Sequence, residues 1–148
     1  MSHNALPWRP FCTAVLVATL LGSIVQTQFN LAAIQQIGAP IPLDVRLHTT
    51  LQDLFGFTPT LAALVIAAFI VALPLAAWLD RLWGAARWLL FAVAGGLAIW
   101  AALSVANAVA PMPTLIGANR SLAGTLALMA SGSAGALLFA RLSAPARS

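Results

Sequence analysis

The densest set of side chains able to do chemistry is Asp44, Arg46, His48 and Asp53, close together between the first two apolar runs of the chain. Asp44 and His48 stand four apart. On a helix the carboxylate then shares a face with the imidazole and orients it, the relation a general base needs. Read as an enzyme, the chain has His48 as acid/base and Asp44 as its orienter. Thr49, Thr50 and Ser121 offer hydroxyls, but no Gly-x-Ser-x-Gly elbow surrounds any of them. A second catalytic group is therefore missing. The plainer reading makes Asp44 a helix cap, leaves Arg46 and Asp53 solvated or paired, and puts His48 at the border of an apolar face.

A second set is polar but uncharged. Thr19, Ser23, Gln26 and Asn30 lie near one face of the first apolar run, and Asn107 falls late in the third. In hydrocarbon an unpaired amide costs several kcal/mol, so these groups must meet partners inside a bundle or in a wet cavity. With Arg120 and the short ionisable segment near its rim, such a seam makes an outward-opening polar mouth. Its candidate ligand-binding residues are Gln26, Asn30, Arg46, His48, Asn107 and Arg120, with Arg46 and Arg120 placed to contact a phosphate head group. Interhelical hydrogen bonding is the competing use of the same residues.

Other chemistries are excluded by composition. The one cysteine, Cys12, permits no disulfide, dithiol pair or Cys-rich metal site within a chain. His3 and His48 fall on opposite sides of the first span, so no metal site is expected and no cofactor is assigned; with no histidine inside a span, haem held by paired histidines is excluded. No phosphate cradle or dinucleotide fingerprint occurs. The cysteine pairs of disulfide-generating membrane oxidoreductases, the embedded glutamate of small multidrug exporters and the intramembrane charges of glutathione-transferase-like membrane proteins are all missing.

What must position these residues is a set of membrane helices. Of 148 residues, 61% are hydrophobic and 7% charged, with a mean hydropathy of +0.96; a soluble domain carries roughly 25% charge. The ten charges fall outside four apolar runs, about Phe11 to Phe29 (extending toward Ile37), Leu61 to Leu79, Trp88 to Ala110 and Ser121 to Ala140. At ~1.5 Å per residue each run crosses a core of about 30 Å. The expected fold is all-α, a single four-span bundle over residues 1–148. The isoelectric point near 11.6 comes from seven scattered arginines with no stripe for phosphates, so nucleic acid is not expected as a partner. Arg9, Arg81, Arg87, Arg141 and Arg147 share one side and Arg46 and Arg120 the other, which puts both termini in the cytoplasm of a bacterial-type inner membrane. Trp8, Trp78, Trp83 and Trp88 mark the arginine-rich interface, leaving Trp100 within the membrane.

Local signals set the boundaries. Asp80 to Arg87 makes a short hairpin turn, Pro111 and Pro113 stop the third span, and Asn119 is a candidate cap for the fourth. In the long first external segment, Asp44 caps a helix over about 44–55 with Leu47, Leu51, Leu54 and Phe55 on one face. Gly56 stops that helix, and Thr58-Pro59 starts the next. This amphipathic helix should lie on the membrane surface or fold over the bundle mouth. Pro74 is expected to put a static kink in the second span. Small residues recur four apart in every span: Ala14, Ala18 and Gly22; Ala68, Ala72 and Ala76; Ala94, Ala98, Ala102, Ala106 and Ala110; Ala123, Ala127, Ser131 and Gly135. Close packing follows, with stripes to spare for a homo-oligomer or a protein partner.

The leading functional expectation is a non-catalytic membrane protein that binds a lipid-like ligand or a partner protein at its outward polar mouth, with acyl chains along the alanine-lined helices. An interfacial enzyme acting on a lipid or quinone ranks second. An oligomeric channel or transporter component ranks third, since the spans lack the ionisable residues that coupled pumps place at mid-membrane.

Overall fold

A computed structural model describes residues 7–84, 86–110 and 116–144. His3, Pro111, Pro113 and Arg147 lie outside the described residues. The chain is an all-helical bundle of α1 (Trp8–Gln36), α2 (Leu43–Gly56), α3 (Thr58–Trp83), α4 (Arg87–Val109), the short 3₁₀ turn Gly117–Arg120 and α5 (Leu122–Leu142). Helices α1, α3, α4 and α5 are each long and apolar enough to cross a membrane. This is an integral membrane protein. Trp8, Trp78, Trp83 and Trp88 come together at the end that holds the α3–α4 hairpin, and all four are exposed.

Helix α1 has 29 residues, about 43 Å at 1.5 Å per residue, so it outreaches the hydrocarbon and α2 folds back against its far end. α3 runs unbroken through Pro74, whose side is exposed. It continues to Trp83, further than the hairpin signal placed its end. Gly84 then closes it at φ +55°, donating its N–H to the Asp80 carbonyl, a left-handed turn that suits a residue without Cβ.

Several expected caps are corrected. Asp44 is not the cap of α2, which begins one residue earlier behind Pro42, so Asp44 sits in the first turn, where its charge favours the helix dipole. α2 does not stop on a left-handed Gly56; it bends at Phe57, which stays in the right-handed helical region and leads into α3. Thr58 is inside α3, behind Phe57, and caps nothing. Asn119 likewise yields its role to Ser121, whose hydroxyl accepts the Gly124 N–H at 3.0 Å.

The core sits around α5, which packs most extensively against α1 and α4. Phe69, Leu73, Phe91, Leu103, Leu128 and Phe139 fill it. Glycines set the crossings. A Cβ on Gly95 would lie 2.6 Å from the Gly132 carbonyl, and one on Gly135 would lie 2.5 Å from the Ala14 carbonyl and 2.8 Å from the Ala18 Cβ. In lipid, such backbone approach is how helices gain attraction. The Ala14, Ala18 and Gly22 stripe of α1 is buried as expected. In α4, by contrast, Gly95 and Gly96 make the close approach to α5, and the alanine stripe does not. At the hairpin end Arg87 pairs with Asp80, donates to the Ala140 carbonyl at 3.3 Å and to Ser143 Oγ at 2.9 Å, and lies over the Phe91 ring. One guanidinium thus ties α3, α4 and α5 together.

Candidate functional site

Two places stand out, a polar seam where α2 meets α1, and an apolar groove between α3 and α4. The seam begins on α1, where residues 19, 23, 26, 27 and 30 recur on one face by helical spacing. Thr19, Ser23, Gln26 and Thr27 are buried and Asn30 is half-buried. The polar face of α2 meets Ser23 and Thr27 of this face and, further round α1, Gln28 and Gln35. Arg46 donates to Gln28 Oε1 and Gln35 Oε1, both at 2.9 Å, while Gln28 Nε2 donates to Thr50 Oγ1 at 3.2 Å. Thr27 Oγ1 donates to Asp53 Oδ2 at 2.7 Å, and Thr58 Oγ1 to Ser23 Oγ at 3.3 Å. On the apolar face of α2, Leu43, Leu47, Leu51 and Phe55 point outward and are exposed, while Leu54 is half-buried. The helix folds back on α1, tied to it by these hydrogen bonds.

The candidate ligand residues are divided by this arrangement. Gln26 is 5% exposed and accepts the Ala118 N–H at 2.7 Å, so its amide fastens the turn before α5 to α1. Asn30 lies against Gly117, where an added Cβ would collide with the Asn30 amide. Arg46 is committed to two glutamines. Arg120 is exposed in the 3₁₀ turn. Asn107 is half-buried on α4, a helix that packs on α5 and α3; no hydrogen bond joins it to Gln26 or Asn30 among the described residues. Asp44 and His48 are both exposed on α2, and among the described residues neither an ion pair nor a hydrogen bond connects them. The structure therefore divides them: Gln26 and Asn30 face the 3₁₀ turn before α5, Arg46 reaches Gln28 and Gln35 on another side of α1, His48 is exposed on α2 and Asn107 lies on α4.

The part of the seam that sequence reasoning missed is the Thr27, Asp53 and Thr58 junction. Thr27 is four residues beyond Ser23 and eight beyond Thr19, so its place on the polar face was available as spacing. Its partner on α2 was not, because that depends on which face of α2 turns inward.

The groove is chemically the opposite. It has a volume of about 900 Å³ and is lined by alanine, valine and leucine alone. It runs from Leu64 to Leu79 on α3 and from Leu90 to Val109 on α4, about 22 to 28 Å of helix. Ala68, Ala72 and Ala76 form one wall and Ala94, Ala98, Ala102 and Ala106 the other. The α4 stripe is the one that its packing against α5 leaves over, and the α3 stripe faces it. Ser104 of α4 does not line the groove, and its hydroxyl donates to the Trp100 carbonyl at 2.8 Å.

Among the described residues, no group of three or more His, Cys, Asp or Glu is placed to hold a metal ion. No family model, curated protein or solved structure matches the chain.

Proposed function

We propose that this is a non-catalytic protein of a bacterial-type inner membrane, with both termini cytoplasmic, that holds a lipid-like molecule by its apolar chain in the α3–α4 groove. The carrying observation is the groove itself: a long apolar groove walled by two alanine stripes that no helix among the described residues fills. Its lining of alanine, valine and leucine with no hydrogen-bonding group suits a hydrocarbon chain; small-residue walls also suit a packed helix, and the test below separates the two. The outward polar mouth is a weaker candidate than its residues promised, because Gln26 and Arg46 are already engaged within the chain.

The test is native mass spectrometry of protein released gently from its own membrane, with identification of what co-purifies. An Ala72→Phe/Ala98→Phe variant, which fills the groove from both walls, should lose at least tenfold of a stoichiometric lipid retained by the wild type. Replacing Arg46 and Arg120 by Ala should leave retention within twofold. Loss in the arginine variant with retention in the groove variant returns the site to the polar mouth, and a bound polypeptide in place of lipid replaces the ligand with a partner protein. The interfacial-enzyme alternative rests on His48, whose exposed position on α2 leaves it reachable from the membrane surface; full activity of His48→Ala on any lipid or quinone substrate found would end it.

A further inference from the structure

The depth of the α3–α4 groove in the membrane follows from the residues at its hairpin end. Leu79 of α3 and Leu90 of α4 line it there, within about one turn of Trp78, Trp83 and Trp88, all of them exposed. Exposed tryptophans gather where hydrocarbon meets the head groups. This end of the groove therefore starts at one membrane interface.

From that interface the apolar lining continues turn by turn. On α3 it passes through Leu75, Ala72 and Ala68 to Leu64, and on α4 through Val93, Ala98 and Ala102 to Val109. The two walls are about 22 and 28 Å long at the helical rise. A hydrocarbon core of about 30 Å has its midplane about 15 Å from either interface. Even a tilt of about 40°, the steep end of the range for membrane helices, leaves the shorter wall about 17 Å deep. The groove thus crosses the midplane and enters the opposite leaflet.

Nothing along it recognises a head group. The lining is alanine, valine and leucine from end to end. Arg87, at the start of α4, is already taken up by Asp80, the Ala140 carbonyl and Ser143 Oγ. An ordinary acyl chain ends near the midplane of its own leaflet, so it would touch one part of the groove and leave the rest empty.

Resting on the reading of the groove as a lipid site, we infer that its occupant is a single polyisoprenoid chain long enough to cross the midplane, selected by its length. Linear polyisoprenoids are the membrane-lipid tails that exceed one leaflet. In lipid the attraction between chain and wall is van der Waals contact, small for each atom pair and large in sum. Each isoprene unit beyond the midplane adds contacts that a leaflet-length chain cannot make. The head group, a quinone or a phosphate, stays outside the groove.

The experiment is native mass spectrometry of the delipidated full chain in detergent, supplied with two prenols, one extending less than the roughly 15 Å of a leaflet and one extending well beyond it. At equal concentration the longer prenol should be retained about tenfold more. Two substitutions at exposed lining positions block one half each, Ala67→Phe near the outer end and Val93→Trp near the hairpin end. Either alone should cut retention of the long prenol about fivefold, because one chain occupies both halves. Equal retention of the two prenols overturns the inference. So does a long prenol lost in one blocked variant and kept in the other, since that chain lies in one leaflet. A quinone and a polyprenyl phosphate with the same long tail should both be retained, the tighter of the two naming the source, and retention of neither overturns the inference. Phospholipid held in place of every long-tailed probe removes the length selection and leaves the groove a lipid site; a bound polypeptide, or no lipid of any kind, removes both.

Discussion

Gly132 has no room for a side chain. A Cβ there would lie 2.7 Å from the Gly95 carbonyl and would also strike Ile99, and backbone cannot move aside as the end of a long side chain does. Gly132→Ala should therefore destabilise the protein by about 1–3 kcal/mol through overpacking, despite the better helix propensity of alanine. Gly56, with nothing within 4 Å of its would-be Cβ, is the control: Gly56→Ala should be neutral or stabilising by up to about 1 kcal/mol. Thermal unfolding of both variants in one detergent checks the pair, and equal stability of Gly132→Ala and wild type would show that α4 and α5 do not cross there. Sequence spacing identified small residues as the contacts but chose the wrong ones on α4. Alanines at four-residue intervals and the Gly95-Gly96 pair look equally suitable until it is known which face meets α5.

At the scale of elements, α2 is the helix whose position is least determined by apolar burial. None of its residues is buried, and its attachment to α1 runs through the Arg46, Gln28 and Gln35 contacts and the Thr27 to Asp53 bond. Hydrogen bonds to a charged group contribute about 1.5–3 kcal/mol each. Arg46→Ala should accordingly raise hydrogen exchange across 43–56 by about tenfold or more while leaving α3, α4 and α5 unchanged; unchanged protection of α2 would mean that the lipid-facing leucines hold it instead. The existence and the periodicity of α2 were legible from Leu47, Leu51, Leu54 and Phe55. Its orientation was not. A stripe of leucine usually marks the face turned to a core, but beside a membrane the apolar face has a second apolar neighbour outside the protein, and the polar face is free to turn inward. The cap errors at Asp44, Thr58 and Asn119 have a related cause: each residue type suits a cap, and tertiary partners or a neighbouring candidate settled the matter. Thr58 is taken up by Ser23, and Ser121 stands two residues beyond Asn119.

For the molecule as a whole, the four spans were readable because hydrocarbon admits few ways to satisfy a backbone, and helical stretches of this length are one of them. The arginine and tryptophan bias toward the hairpin end then argues for a cytoplasmic hairpin. In a Cys12→Ser background, Gln36→Cys should react with a membrane-impermeant maleimide on intact spheroplasts, and Ala144→Cys should react after lysis alone; the opposite pattern would invert the topology. The groove, unlike the spans, was invisible in the sequence. Its alanines read as packing surface, and only the way α3 packs beside α4 and α1 while α4 turns its glycines to α5 leaves them facing an open space.

That arrangement also bears on how the chain is made. α5 emerges after the other three spans during synthesis, yet it is the one against which α1 and α4 pack most extensively. Until it arrives, the glycine and alanine faces of both helices wait in the bilayer with their proper neighbour absent, and during that interval they are free to adhere to other nascent spans or to be met by membrane proteases. Completion of these four helices therefore waits on α5, and damage confined to α5 should reduce the amount of protein that accumulates before it alters anything the finished protein does.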